Sequence, residues 1–74
     1  MALIKKLEQL TMDRNSIHEP VSATYTIFTG DDGKKYLQID TYGSSQRQIL
    51  GKKSQSIQFG PDTVDEIRSV IDSI

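Results

Sequence analysis

One short stretch of the chain looks like a chemical motif. Leu50-Gly51-Lys52-Lys53-Ser54 resembles the end of the phosphate-binding loop G-x-x-x-x-G-K-[ST]. The match is incomplete, because Gln46 stands where the first glycine belongs and Lys53 occupies the Ser/Thr position. The residues that follow alternate as in a strand, whereas a phosphate loop leads into a helix whose N-terminus holds the phosphates. We interpret the stretch as a hairpin tip, with the lysine pair either solvated or part of the rim of a binding surface.

The remaining candidates for chemistry are few. His18 is the one histidine and there is no cysteine, so neither a zinc site nor a Ser-His-Asp triad can be assembled from a recognisable motif. Asp31-Asp32 lacks the periodic oxygen ligands and the terminal glutamate of a calcium loop. The sequence therefore predicts no catalytic residue, no metal and no cofactor, and we expect a protein that is not an enzyme.

Aromatic side chains share one face of the predicted sheet. Tyr36 and Tyr42 lie on the same face of one strand, and Phe28 lies on the matching face of its hairpin partner. Single-stranded nucleic acids bind by stacking bases on such rings while cations track the phosphates. The predicted nucleic-acid-binding residues are Tyr36, Tyr42 and Phe28 for stacking, Arg47, Lys52 and Lys53 for phosphate, and Ser54, Ser56 and Gln58 for hydrogen bonds.

Two observations favour an alternative function. Any antiparallel sheet exposes some β-branched and aromatic residues on its wet face, and a partner could cover them. Asp40 would stand in the middle of this face, where a carboxylate repels phosphates. The alternative is a small protein-interaction or regulatory module that binds no nucleic acid.

Hydrophobic periodicity predicts the elements that position these residues. Alternation indicates strands over residues 21–29, 35–42 and 54–59, and residues 46–50 form either a further short strand or an ordered loop. Gly60-Pro61-Asp62 starts a C-terminal helix. The apolar stripe of that helix is Val64, Ile67, Val70, Ile71 and Ile74.

The N-terminal segment also has helical spacing. Leu3, Ile4, Leu7 and Leu10 fall on one stripe, which predicts a short helix over residues 2–10. The predicted fold is α+β: a twisted antiparallel sheet of three or four strands, backed by the C-terminal helix, with an extra short N-terminal helix. We expect a single domain over residues 1–74, divided into N-terminal helix and connector (1–16), sheet (21–59) and C-terminal helix (61–74).

Size and charge limit the partners. The 74 residues carry a formal net charge of −1, which argues against a strongly basic nucleic-acid binder or a polybasic membrane anchor, though not against a local basic patch. No apolar run approaches the roughly 20 residues of a membrane span. We expect a cytoplasmic protein that does not contact membranes. Because so short a chain is marginally stable alone and the helix stripe exceeds what one sheet needs, we also expect a homodimer.

The second half of the chain resembles the single-stranded-DNA-binding domain of the transcriptional coactivator positive cofactor four. The resemblance covers residues 21–74 and rests on the order of elements, the loop length and three segments. These are Tyr36-Leu37-Gln38-Ile39-Asp40-Thr41-Tyr42, Gly51-Lys52-Lys53, and Ile57-Gln58-Phe59 followed by Gly60-Pro61-Asp62.

The resemblance implies a dimer formed through helices and single-stranded DNA held across sheet faces. Tyr42, Lys52 and Lys53 are the best-matched positions. The chain departs from the pattern at Asp40, where the family tends to have a basic residue, and at Leu50, which replaces a proline.

Overall fold

The computed structural model describes residues 1–43 and 53–74 and shows four strands and one helix in this part of the chain. In chain order they are β1 (Ala2–Ile4), β2 (Ala23–Thr29), β3 (Lys35–Tyr42), β4 (Lys53–Phe59) and α1 (Pro61–Asp72). The strands form one sheet in the order β1-β4-β3-β2. The predicted α+β class, the three main strands and the C-terminal helix are therefore confirmed, and no helix of the described residues is long and apolar enough to span a membrane.

A tight hairpin joins β2 to β3. The backbone N–H of Gly30 donates to the Lys34 carbonyl, and Gly33 has a φ of 77°, a conformation that glycine adopts without strain. The antiparallel register sets Tyr25 opposite Ile39 and Phe28 opposite Tyr36. Because opposed residues point to the same face, this register separates an apolar face from a polar face.

The predicted N-terminal helix is wrong. Ala2–Ile4 is instead an edge strand that pairs in parallel with β4, so the sheet is mixed and not purely antiparallel. An isolated helix of this length is marginal in water, whereas β4 offers an unpaired edge for immediate backbone hydrogen bonds. Leu7 follows as a half-buried residue against α1, where its N–H donates to Glu66, but Leu10 is exposed.

Helix α1 covers β3 and β4. It begins at Pro61, where a proline loses no intrahelical hydrogen bond, after an extended Gly60. Thr63 is only 1% exposed, and its hydroxyl lies 3.0 Å from the Ile4 carbonyl oxygen and 3.2 Å from that of Gly60. This threonine ties β1 and the β4–α1 turn to the helix.

The apolar face is only partly covered. Among the hydrophobic residues that the structure describes, Phe59 alone is buried, with 8% of its surface exposed. Tyr25 and Ile27, which are opposite Ile39 and Leu37 on this face, are 73% and 61% exposed. The reason is that α1 packs mainly against β3 and β4, whereas β2 is the strand beyond β3.

The pairing of β3 with β4 contains one irregularity. Thr41 is opposite Gln55 and Tyr42 is opposite Lys53, so Ser54 is an extra residue in β4. Such a bulge shifts the alternation, and it brings Lys53 to the face that Ser56 shares. The prediction of a strand or loop at residues 46–50 lies outside the described residues.

Thr63 provides a test of how β1 is held. Thr63→Val keeps the shape and removes the donor, so we expect a loss of about 1 kcal/mol in the free energy of unfolding. We also expect faster amide hydrogen exchange in β1. Thr63→Ser is the matched control, because it retains the hydroxyl and should preserve protection of the β1 amides. Equal exchange in the two variants would contradict this role.

Candidate functional site

The face of the sheet opposite α1 carries most of the residues predicted to bind. We name this surface the polar face. The β-strand register places on it Thr24, Thr26 and Phe28 of β2, Tyr36, Gln38, Asp40 and Tyr42 of β3, and Lys53, Ser56 and Gln58 of β4. Aromatic rings therefore lie towards the two ends of this face, and hydroxyl and amide groups lie between them.

Asp40 is the centre of the polar face. It is 2% exposed although it carries a carboxylate, because its neighbours on β3 and β4 close around it. The Ser56 hydroxyl donates to Oδ1, and Gln38 Nε2 lies 3.0 and 3.1 Å from the two carboxylate oxygens. Lys53 Nζ lies 3.3 Å from Oδ2, so the carboxylate is both hydrogen-bonded and paired with a cation.

These contacts keep the Asp40 carboxylate ionised. The hydrogen bond from Ser56, followed by that from Gln38, lowers the pKa of Asp40 below its ordinary value of 3.8, and Lys53 adds to the effect. Burial acts in the opposite direction but is outweighed. The repulsion of phosphates that the sequence predicts for Asp40 is therefore weakened, because the carboxylate is buried and paired with Lys53.

A row of side-chain amides crosses the strands next to Asp40. Gln58 Nε2 donates to Gln38 Oε1 at 2.8 Å, and Gln38 in turn donates to Asp40. The carboxylate fixes the direction of this row, because an ionised carboxylate only accepts hydrogen bonds. The row leaves the Gln58 carbonyl oxygen at its far end, with no hydrogen bond from the described residues.

The aromatic residues form a pair at the hairpin end of the polar face. The rings of Phe28 and Tyr36 are stacked, with centroids 5.5 Å apart and planes inclined by 14°. The Tyr36 hydroxyl donates to Asp32 Oδ2 at 2.5 Å, which raises the pKa of Tyr36 and lowers that of Asp32. A Cβ on Gly30 would come within 2.7 Å of the Tyr36 ring, so this glycine leaves room for it.

Tyr42 lies at the other end of the same strand. Its hydroxyl is 2.9 Å from the Thr24 hydroxyl of β2, which holds the phenol ring across the hairpin. Tyr36 and Tyr42 are therefore on one face, as predicted, but six residues apart along β3 and with the amide row between them.

The described structure brings together most of the predicted site residues. Phe28, Tyr36, Tyr42, Lys53, Ser56 and Gln58 lie on the polar face, and Ser54 is the extra residue of the bulge. Arg47 and Lys52 lie outside the described residues. Whether any of these residues binds a nucleic acid stays a prediction.

Sequence reasoning missed two partners. Asp40 organises the polar face, although from the sequence it is expected to repel phosphates. Asp32 orients Tyr36, although from the sequence it is expected only to form part of a turn. The signal for Asp40 was available in the strand register, which places it opposite Ser56. The bulge at Ser54, which the alternation alone does not reveal, is needed only for the approach of Lys53 to Asp40.

The apolar face of the sheet, on the side of α1, holds a depression. It has a volume of about 470 Å³ and is lined mainly by Ile27, Lys35, Leu37, Val64 and Arg68. Beyond it, Val70 and Ile71 of α1 are 49% and 59% exposed. In residues 1–43 and 53–74, no group of three or more His, Asp or Glu side chains is placed to hold a metal ion.

Comparison with known proteins found no matching protein family, curated protein or solved structure.

The contacts of Asp40 predict a defined pH dependence. Because its pKa is lower in the folded chain than in the unfolded chain, Asp40 stabilises the fold above pH 3.8, and this stabilisation is lost as the pH falls through the folded-state pKa. Ser56→Ala removes the largest cause of the shift, so the Asp40 pKa should rise. Carbon-detected NMR of the carboxyl group measures this directly.

Thr24→Ala is the matched control for Ser56→Ala. It also removes a hydroxyl from a residue opposite Asp40, but that hydroxyl hydrogen-bonds with Tyr42 and not with Asp40. An Asp40 pKa that stays constant in Ser56→Ala, or that moves equally in both variants, would contradict the assignment.

Proposed function

We propose that this chain is a nucleic-acid-binding accessory protein that holds single-stranded DNA or RNA on the polar face. The observation that carries the proposal is the combination of a stacked aromatic pair with a row of oriented amides on one face of the sheet. Bases stack on aromatic rings without strong sequence preference, and amides and hydroxyls hydrogen-bond base edges and sugars. Each of these groups is present within three adjacent strands.

The charge arrangement supports the proposal in part. The Asp40 carboxylate is 3% exposed, whereas the Lys53 side chain is 55% exposed, so the cation of this pair is the accessible partner. Among the residues that define the polar face, Asp40 and Lys53 are the one carboxylate and the one ammonium group, and the Asp32 carboxylate borders the face beside Tyr36. Stronger attraction for phosphates would come from Arg47 and Lys52, which precede β4 in the sequence.

The resemblance to positive cofactor four supports the same face. It implies that single-stranded DNA crosses a sheet and contacts positions matching Tyr42, Lys52 and Lys53. Tyr42 and Lys53 are opposite each other in the register, which keeps an aromatic ring and a cation side by side. We include a coactivator-like role and a cytoplasmic location in the proposal as what the resemblance and the composition favour.

A second candidate is a small protein-interaction or regulatory module. The observation that favours it is the open apolar face, where Tyr25 and Ile27 are largely exposed beside the depression under α1. This module would use the apolar face and leave the polar face free. It predicts that Lys52→Ala combined with Lys53→Ala has no functional effect, and that changes at exposed apolar residues abolish partner capture.

The salt dependence of binding separates these candidates. Three to five phosphate contacts on single-stranded DNA should give a log–log slope of roughly −2 to −4, at about −0.7 per contact. Fluorescence anisotropy with a labelled oligonucleotide measures this slope. Absence of binding at low salt would contradict the nucleic-acid proposal and leave the protein-interaction module.

Matched substitutions on the two faces locate the site. Lys53→Gln should reduce the magnitude of the slope by about 0.7, whereas Lys35→Gln, which removes the same charge from the apolar face, should not. Phe28→Leu should weaken binding by about 1–3 kcal/mol, and Tyr25→Leu on the opposite face of β2 should leave it unchanged. Equal effects of the paired variants would place the site elsewhere.

A further inference from the structure

Strand β2 forms an open edge of the sheet. In the part of the chain that the structure describes, β2 pairs with β3 alone. Two hydrogen bonds fix which backbone groups point outward: Tyr42 N–H donates to the Ser22 carbonyl, and Gly30 N–H donates to the Lys34 carbonyl. Since inward and outward groups alternate along an antiparallel strand, the N–H and C=O groups that point to the open edge belong to Ala23, Tyr25, Ile27 and Thr29.

This edge lacks the features that keep strands apart. Native sheets protect open edges with charged side chains, proline or a bulge, or with a very short strand. The sequence of Ala23–Thr29 is ATYTIFT, seven residues long with no charge, proline or glycine, and its register with β3 is regular. Residues of this kind on an unprotected edge favour pairing with another strand.

We propose that the open edge of β2 pairs with the same edge of a second copy of this chain. The pairing is antiparallel about a two-fold axis at Thr26. Thr26 is then opposite itself, Tyr25 is opposite Ile27 of the other copy, and Ala23 is opposite Thr29. This register engages the whole of β2, and it brings outward-pointing residues together in hydrogen-bonded pairs.

The side chains are complementary to their own symmetry mates in this register. On the apolar face, Tyr25 packs against Ile27 of the other copy, an aromatic and β-branched pair of the kind that stabilises sheets, and this pair occurs twice. Both residues are largely exposed on that face in the single chain. The contact also extends the wall of the apolar depression, which Ile27 lines.

Charge permits the same arrangement. No charged residue of β2 is brought opposite a like charge, because β2 has none. Continuing the register into the hairpin sets Asp31 opposite Val21 and Asp32 opposite Pro20, so the carboxylates of the two copies are not opposed. A second copy thus covers apolar surface without charge repulsion at the edge.

The small hydrophobic core of a single chain favours association with a second copy. Phe59 is the one buried hydrophobic residue in residues 1–43 and 53–74, which is a small core for a chain that folds alone. Edge pairing would join two four-stranded sheets into one of eight strands, with both helices on the same side. The proposal concerns the β2 edge and does not depend on what the polar face binds.

Two double variants test the register with the same positions changed. Tyr25→Lys with Ile27→Lys sets lysine opposite lysine across the axis, and we expect the dimer dissociation constant to rise at least about tenfold. Tyr25→Glu with Ile27→Lys sets opposite charges across the axis, so the dimer should persist. Sedimentation equilibrium measures both constants, and far-UV circular dichroism checks that each variant folds.

Cysteine cross-linking tests the axis directly, since the chain has no cysteine. Thr26 would be a non-hydrogen-bonded pair with its own mate, with Cα atoms about 4.5 Å apart, which suits a disulfide. Thr26→Cys should therefore form covalent dimers on oxidation, and Thr24→Cys, which would be opposite Phe28, should not.

Three results would overturn the proposal. The first is a wild-type chain that remains monomeric at the highest soluble concentration. The second is equal dissociation constants for the lysine–lysine and glutamate–lysine variants. The third is a dimer that is lost in Val70→Lys with Ile71→Lys but kept in Tyr25→Lys with Ile27→Lys, which would place the interface on α1.

Discussion

The ionised carboxylate of Asp40 is the group on which the polar face depends. It lies between β3 and β4 and accepts hydrogen bonds from Ser56 and Gln38 while pairing with Lys53. A buried charge without partners would destabilise the sheet, so these three donors are needed together. Their common acceptor orients them, and through Gln38 it also orients Gln58. A residue that looks unfavourable for binding phosphate is thus the one that arranges the surrounding donors.

The two faces of the sheet meet different constraints. The polar face satisfies its buried groups internally, and no buried side-chain polar atom of the described residues lacks a hydrogen bond. The apolar face is covered over β3 and β4 but open at β2, where Tyr25 and Ile27 remain exposed. The polar face is therefore suited to a polar ligand, and the β2 edge of the sheet is suited to a second chain. The proposal for the β2 edge follows from a helix that packs on β3 and β4 and leaves Tyr25 and Ile27 of β2 exposed.

Much of the fold could be predicted from local patterns. Alternation located the three main strands, and Gly60-Pro61-Asp62 located the start of α1, because these signals act within a few residues. The N-terminal segment could not be predicted this way. Its spacing is helical, but Ala2–Ile4 pairs instead with the edge of β4, which is more than fifty residues away in sequence. Local periodicity carries no information about such a partner.

The candidate site was predictable in composition but not in arrangement. The alternation of β2 and β3 identified Phe28, Tyr36 and Tyr42 as sharing a face, and the register agrees. The link from Lys53 to Asp40 depends on the bulge at Ser54, a tertiary feature that no short-range signal indicates. The roles of Arg47 and Lys52 rest on the sequence alone.

An NMR titration with a single-stranded oligonucleotide tests the central claim most directly. The side-chain amide signals of Gln38 and Gln58 report on the middle of the polar face, and the backbone signals of Tyr25 and Ile27 report on the opposite face. The account predicts that the glutamine side-chain signals shift in a saturable manner while the signals from the apolar face stay constant. Glutamine signals that do not move at any oligonucleotide concentration, or shifts confined to Tyr25 and Ile27, would contradict it.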